Sequence, residues 1–159
     1  QMSQYWFNEA QTNDLLRMEG PLGTFCLRKH KASDLILLAT GTGIAPVKAM
    51  LEQLSSMPEL NTYDQIHLYW GGRTEQDIYW KPDFPDLPLV FTPVLSREKL
   101  WPGKQGYVQQ AVISDGIDLS DAVVYACGSE VMIQDAHAYL TSAGLREKRF
   151  YSDAFVSSS

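Results

Sequence analysis

Apolar residues in this chain gather into short unbroken runs, set apart by polar stretches that contain glycine or proline. Leu35 to Ala39 is such a run, without alternation, as in a strand buried on both faces of a parallel sheet. From there strand and helix patterns alternate. A helix is predicted from about Ala45 to Met57, with Val47, Met50, Leu51 and Leu54 spaced along one face. Strand Gln65–Trp70 follows, then a polar segment through Asp77 and a third strand at Leu89–Leu95. A short helix near Val108–Ile113 leads to strand Ala122–Ala126. Helix Glu130–Ala143 stops at Gly144, and a last strand lies near Arg149–Tyr151. The pattern predicts an α/β fold, an open five-stranded parallel sheet with helices on both faces.

The opening residues read differently. Ser3 to Ala10 suits a short helix capped by Ser3, Asp14–Glu19 a strand, Gly20–Gly23 a turn and Thr24–Leu27 a second strand. Two strands make no stable sheet alone, so residues 1–31 are expected to be the last part of a preceding β domain. The basic stretch Arg28-Lys29-His30-Lys31 would link it to an α/β domain over residues 32–159. Beginning at Gln1, the chain reads as a piece of a longer one.

Candidate chemistry concentrates after the strands. Thr40-Gly41-Thr42-Gly43-Ile44-Ala45-Pro46 follows the first strand at once, and Pro46 suits the first turn of a helix. Strand, glycine turn and helix N-terminus together form an anion site, where small residues let a phosphate approach free N–H groups. The alternative is an ordinary tight turn. No Lys follows Gly43 as a P-loop requires, and Pro46 stands where the Rossmann fingerprint has its third glycine. Gly71-Gly72-Arg73, Ser96-Arg97 and Cys127-Gly128-Ser129 also fall at the carboxyl ends of strands, where ligands of open α/β sheets bind.

Composition narrows the classes. The net charge of −6 over 159 residues argues against nonspecific nucleic-acid binding. No apolar run is long enough to span a bilayer, and two distant cysteines, Cys26 and Cys127, point to a reduced, cytoplasmic setting. His30, His67 and His137 fall in separate elements, so no metal site is expected. No Gly-x-Ser-x-Gly elbow appears.

With these motifs, and with Gly20-Pro21-Leu22-Gly23, Asp77-Ile78-Tyr79, Gly106-Tyr107-Val108-Gln109, Met132 and Phe150–Phe155, the chain resembles the nicotinamide-binding half of the ferredoxin–NADP reductase superfamily. It is similar above all to reductases of deoxysugar synthesis that work with a CDP-hexulose dehydrase, and next to NAD(P)H:flavin reductases. The resemblance implies hydride passing from NAD(P)H to FAD and electrons moving on to an iron–sulfur centre or another acceptor. FAD would sit in a flavin domain of the same full-length chain. Any 2Fe–2S cluster would belong to a separate domain, since four cysteines are needed.

The resemblance also implies roles. Thr40, Gly41, Thr42, Gly43 and Pro46 would cradle the pyrophosphate. Gly71, Arg73, Ser96, Arg97, Tyr107 and Gln109 would take the adenosine side. Cys127, Gly128, Ser129 and Met132 would meet the nicotinamide, with Phe155 covering the flavin. Cys127 and Asp153 are the catalytic candidates. Cys127 is also readable as a small buried hydrophobe, the lesser alternative; Arg73 or Arg97 alone reads equally as a surface arginine, though the pair on one edge favours a ligand, and Tyr107 equally as a packing residue. Leu-Ser-Arg occurs in relatives of both preferences and the chain is acidic, so NADH is expected, with NADPH tolerated. The competing function is a noncatalytic nucleotide sensor of the same fold; Cys127-Gly128-Ser129 favours the enzyme.

Overall fold

The computed structural model describes residues 5–17, 19–20 and 23–155, and for Phe155 the backbone alone. Six parallel strands form one sheet: β1 (Asp34–Thr40), β2 (Gln65–Gly72), β3 (Leu89–Leu95), β4 (Lys104–Gln105), β5 (Ala122–Ser129) and β6 (Phe150–Phe155). Their order is β4-β3-β2-β1-β5-β6. The chain therefore winds outward from β1 in one direction and restarts at β5 on its other side, which makes the crevice between β1 and β5 the switch point of the topology.

Leu35 to Ala39 have no exposed surface, as their unbroken apolar run requires. Alternate residues serve opposite layers. Leu35, Leu37 and Ala39 pack with Ile66, Leu68, Trp70, Val123 and Tyr125 under helix α1 (Ile44–Ser56), whose Val47, Met50, Leu51 and Leu54 are buried as their spacing predicts. Ile36 and Leu38 face the other way, toward α2 (Val108–Ser114) and α3 (Glu130–Ser142). The helices on both faces bear out the α/β architecture.

Three differences have physical causes. β4 has no apolar run to announce it; it is a two-residue edge strand defined by its pairing with Val94 and Leu95. Strands β1, β2 and β5 extend into the expected turns, because Thr40, Gly71 and Cys127 still pair with neighbours. Asp14–Glu19 and Thr24–Leu27 form no strand among the described residues. Phe25 and Leu27 instead lay their side chains on the α1 side of the sheet, with the Phe25 ring edge-on to Tyr125 at 5.9 Å. In place of the expected Ser3–Ala10 helix there is a single wide turn at Tyr5–Glu9, tied by the Tyr5 hydroxyl donating to Asp14 at 2.7 Å. Ser3 and the Pro21-Leu22 pair lie outside the described residues. Among the described residues no helix is long and apolar enough to cross a membrane.

Candidate functional site

The turns after β1 and β5 meet at the switch point. Gly41–Gly43 form one 3-10 turn that runs straight into α1, with Pro46 in its first helical turn. Thr40 stands in the capping position, but its hydroxyl caps nothing; it accepts the N–H of Ser129 across the crevice at 3.4 Å. No side chain caps the short turn or α1, and no acidic residue sits in the first turn of either. Unpaired N–H groups at a helix start form a ready anion site. Gly41 and Thr42 are exposed. Gly41 holds φ +54, and a Cβ there would meet nothing within 4 Å, so the space outside the turn is open.

Gly43 and Gly128 have a different reason to be glycine than phosphate or ring approach. A Cβ on buried Gly43 would overlap the Cys127 carbonyl, and one on Gly128 would overlap the Thr40 hydroxyl and come within 2.9 Å of the Met132 methyl. Both glycines let the two turns pack against each other. That packing by itself requires glycine at position 43, whether or not a phosphate lies beside the turn. Ser129 is exposed and its Oγ accepts the Met132 N–H at 3.3 Å, closing the start of α3, where Glu130 adds an acidic side chain.

Cys127 is fully buried. Burial, and then the neighbouring charge of Asp153, push its thiol up to about 11, so it is neutral near pH 7. Asp153 lies in register with it on β6, and Phe155 with Ser129. The protonated thiol packs as a small hydrophobe.

The turns after β2 and β3 are likewise zipped together. Gly72 O accepts both the N–H of Ser96 at 3.0 Å and its hydroxyl at 3.2 Å, and Arg97 N–H donates to Arg73 O at 2.8 Å. Both arginine side chains are exposed on one edge. Asp77 fixes this turn: its Oδ2 accepts the N–H groups of Arg73 at 2.7 Å and Thr74 at 2.9 Å. Those backbone bonds hold its carboxyl below the ordinary range. Sequence reasoning gave Asp77 no role, although Thr74-x-x-Asp77 has the spacing of a capping box, and the structure forms one. Tyr107 starts α2 and is 62% exposed. Its neighbour Val108 is packed tightly enough that a Cβ on Gly71 would come within 3.1 Å of it.

Gln109 departs from this group. Its side chain is buried between α2 and α3, in a groove with Asp135, Ala138, Tyr139 and Ser142, rather than beside the arginines. Among the described residues no cluster of His, Cys, Asp or Glu could hold a metal ion.

The model of the oxidoreductase NAD-binding domain family matches residues 37–138, from the middle of β1 well into α3. The chain belongs to that family. It is 43% identical over 159 residues to the CDP-6-deoxy-L-threo-D-glycero-4-hexulose-3-dehydrase reductase of Yersinia pestis, covering 96% of this chain and 46% of that protein. It is 28% identical to an NAD(P)H-flavin reductase of Aliivibrio fischeri, covering 92% of this chain and 63% of that one. The FAD/NAD-binding domain of a nitric oxide dioxygenase from Vibrio cholerae superposes with a TM-score of 0.75 at 18% identity, over 96% of this chain and 63% of that one, which shows the shared fold. The chain spans about half the length of the dehydrase reductase it matches. The residues along the sheet edge described above fit a dinucleotide, the kind of ligand that open α/β sheets take outside the carboxyl ends of their strands. An uncapped, acid-free helix start opens onto clear space, with two exposed arginines further along the same edge. An iron–sulfur cluster held by four cysteine thiolates does not fit, since the chain has two cysteines on separate elements.

Proposed function

We propose that this chain is the NAD(P)H-binding part of a flavin-dependent reductase, which takes hydride from NADH, accepting NADPH less well, and hands electrons to an iron–sulfur centre or another acceptor. The observation that carries this reading is the open glycine turn of α1 beside the closed start of α3. In this assignment residues 1–31 belong to the flavin-domain side and 32–159 to the dinucleotide domain. The 43% identity to a dehydrase reductase supports deoxysugar synthesis as the setting.

The chain's own residues would bind, orient and exclude water. The N–H groups of Gly41, Thr42 and Gly43 would receive the pyrophosphate, helped by the Thr42 hydroxyl and the dipole of α1. Arg73 and Arg97, aimed by Asp77 and Ser96, would hold the adenosine side as planar forks, with Tyr107 offering a face for the base. Gly71 keeps the floor of that side low. Cys127, Gly128, Ser129 and Met132 would wall the nicotinamide end. There the buried neutral thiol backs the turn from beneath, and the exposed Asp153 of β6 is in register with it. The nicotinamide supplies hydride when bound; the protein supplies distance and dryness.

One observation favours a second reading, the noncatalytic sensor: Cys127 has no exposed surface, and the vacant side of Gly128 is filled by Thr40 and Met132. Anaerobic addition of NADH to the full-length protein separates the two. Bleaching of flavin absorbance supports the reductase. Dinucleotide binding by a colourless protein supports the sensor.

A further inference from the structure

Away from the switch point, the chain removes one cation from the adenosine side. Lys104, on β4, lies opposite Val94, two residues before the Ser96–Arg97 turn. Its side chain runs under α2 instead of toward that turn. The ammonium pairs with the Asp115 carboxylate and donates to the Ser114 hydroxyl at 2.8 Å. Asp115 in turn accepts the hydroxyl of Tyr69 at 2.7 Å, and the Tyr69 ring is buried within β2. Burial alone would raise the Asp115 carboxyl, but the bonds from Lys104 and Tyr69 outweigh it and keep the group ionised. The clamp is therefore neutral overall and anchored in the sheet. Arg73, Arg97 and Lys99 are left as the exposed cations of those turns.

NADH and NADPH differ by a single phosphate on the adenosine ribose, so the choice between them depends on how many free cations reach that side. Resting on the dinucleotide reading above, we propose that Asp115 is a specificity-determining residue: by holding Lys104 against Tyr69 it withdraws a cation that would otherwise favour a 2′-phosphate, and so biases the site toward NADH. The role belongs to the carboxylate of Asp115; Lys104 is its cargo.

The test is calorimetric titration of the full-length protein with NAD+ and NADP+, with thermal melting as a check on folding. Asp115→Asn keeps an acceptor for Tyr69 and removes the charge that holds the ammonium, leaving it only neutral acceptors such as the Ser114 hydroxyl. It is expected to tighten NADP+ binding about tenfold, as one charge-assisted contact would, and to leave NAD+ binding unchanged. Adding Lys104→Met to it should abolish the gain. Lys104→Met alone should leave both affinities as they were. A gain that survives in the double variant, or an Asp115→Asn protein with an unchanged affinity ratio, overturns the inference. If Asp115→Asn does not fold, Lys104→Met still decides: selective loss of NADP+ binding would mean that the lysine already reaches the phosphate, and an unchanged ratio supports its withdrawal. Wild-type protein that binds neither dinucleotide overturns the reading beneath the inference, and the inference with it.

Discussion

The turn after β1 and the turn after β5 each lead from a buried strand into a thirteen-residue helix, yet only the second closes its helix with its own side chains. Ser129 caps α3 and Glu130 complements its dipole, so that end has no need of a ligand. Thr40 occupies the matching place before Gly41–Gly43 and turns its hydroxyl across to Ser129, leaving the α1 end open. One shared hydrogen bond thus helps join the two turns while leaving one of them uncapped. A glycine-rich turn becomes an anion site through what its neighbours leave unpaired, more than through the glycines themselves.

The largest effect should come from breaking the contact between the turns. Gly43→Val places a side chain on the Cys127 carbonyl. It is expected to destabilise the fold by about 3 kcal/mol, as overpacking of a tight contact does, and denaturant melts would read that loss. A variant with parent-like stability and weaker dinucleotide binding would restore the phosphate explanation for this glycine.

Gly41→Asp makes the open end resemble the closed one. A carboxylate there would compete with phosphate for the N–H groups and repel it. Dinucleotide affinity is expected to fall by about 2 kcal/mol, while the positive φ adds a stability cost of about 1 kcal/mol. Calorimetric titration beside a thermal melt separates the two numbers. Equal affinity would place the phosphates elsewhere.

Ser129→Ala opens the closed end. Loss of the cap should lower stability by about 1 kcal/mol and barely move dinucleotide affinity. An affinity loss larger than the stability loss would make the Ser129 hydroxyl a ligand in its own right.

The smallest effect concerns Cys127 beneath both turns. Its pKa is raised from 9.0 to about 11 in the folded state, so the folded protein holds a proton that the unfolded chain releases earlier. Stability from this group is complete below about pH 9 and is lost as pH rises through the window toward 11. At pH 8, native protein should take up alkylating reagent at exposed Cys26 and not at buried Cys127, which mass spectrometry of the digested protein would show.

Much of this was legible in the sequence where burial is two-sided. The runs Leu35–Ala39 and Ala122–Ala126 declare central strands because both of their faces are covered. β4 was not legible, since Lys104 and Gln105 become a strand only by pairing with β3. The same holds in reverse for Thr24–Leu27, whose pattern suits a strand but which has no ladder partner among the described residues. The four edge turns were visible from their places after strands, and three of them also from their glycines. Why Gly43 and Gly128 are glycine was hidden, because it depends on two turns far apart in sequence coming into contact. Gln109 was misplaced because a seven-residue helix offers too little periodicity to show which face a residue takes. Asp77 could have been found from its capping-box spacing.

The central claim is that the open α1 end, and not the capped α3 end, receives the pyrophosphate. Backbone amide shifts of the isotope-labelled full-length protein during titration with ADP-ribose, which carries the pyrophosphate without the nicotinamide, test it most directly. Large, saturable shifts at Gly41, Thr42 and Gly43, with small ones at Glu130 to Met132, are the expected result. Shifts centred on Glu130 to Met132 with Gly41 to Gly43 unmoved would contradict it.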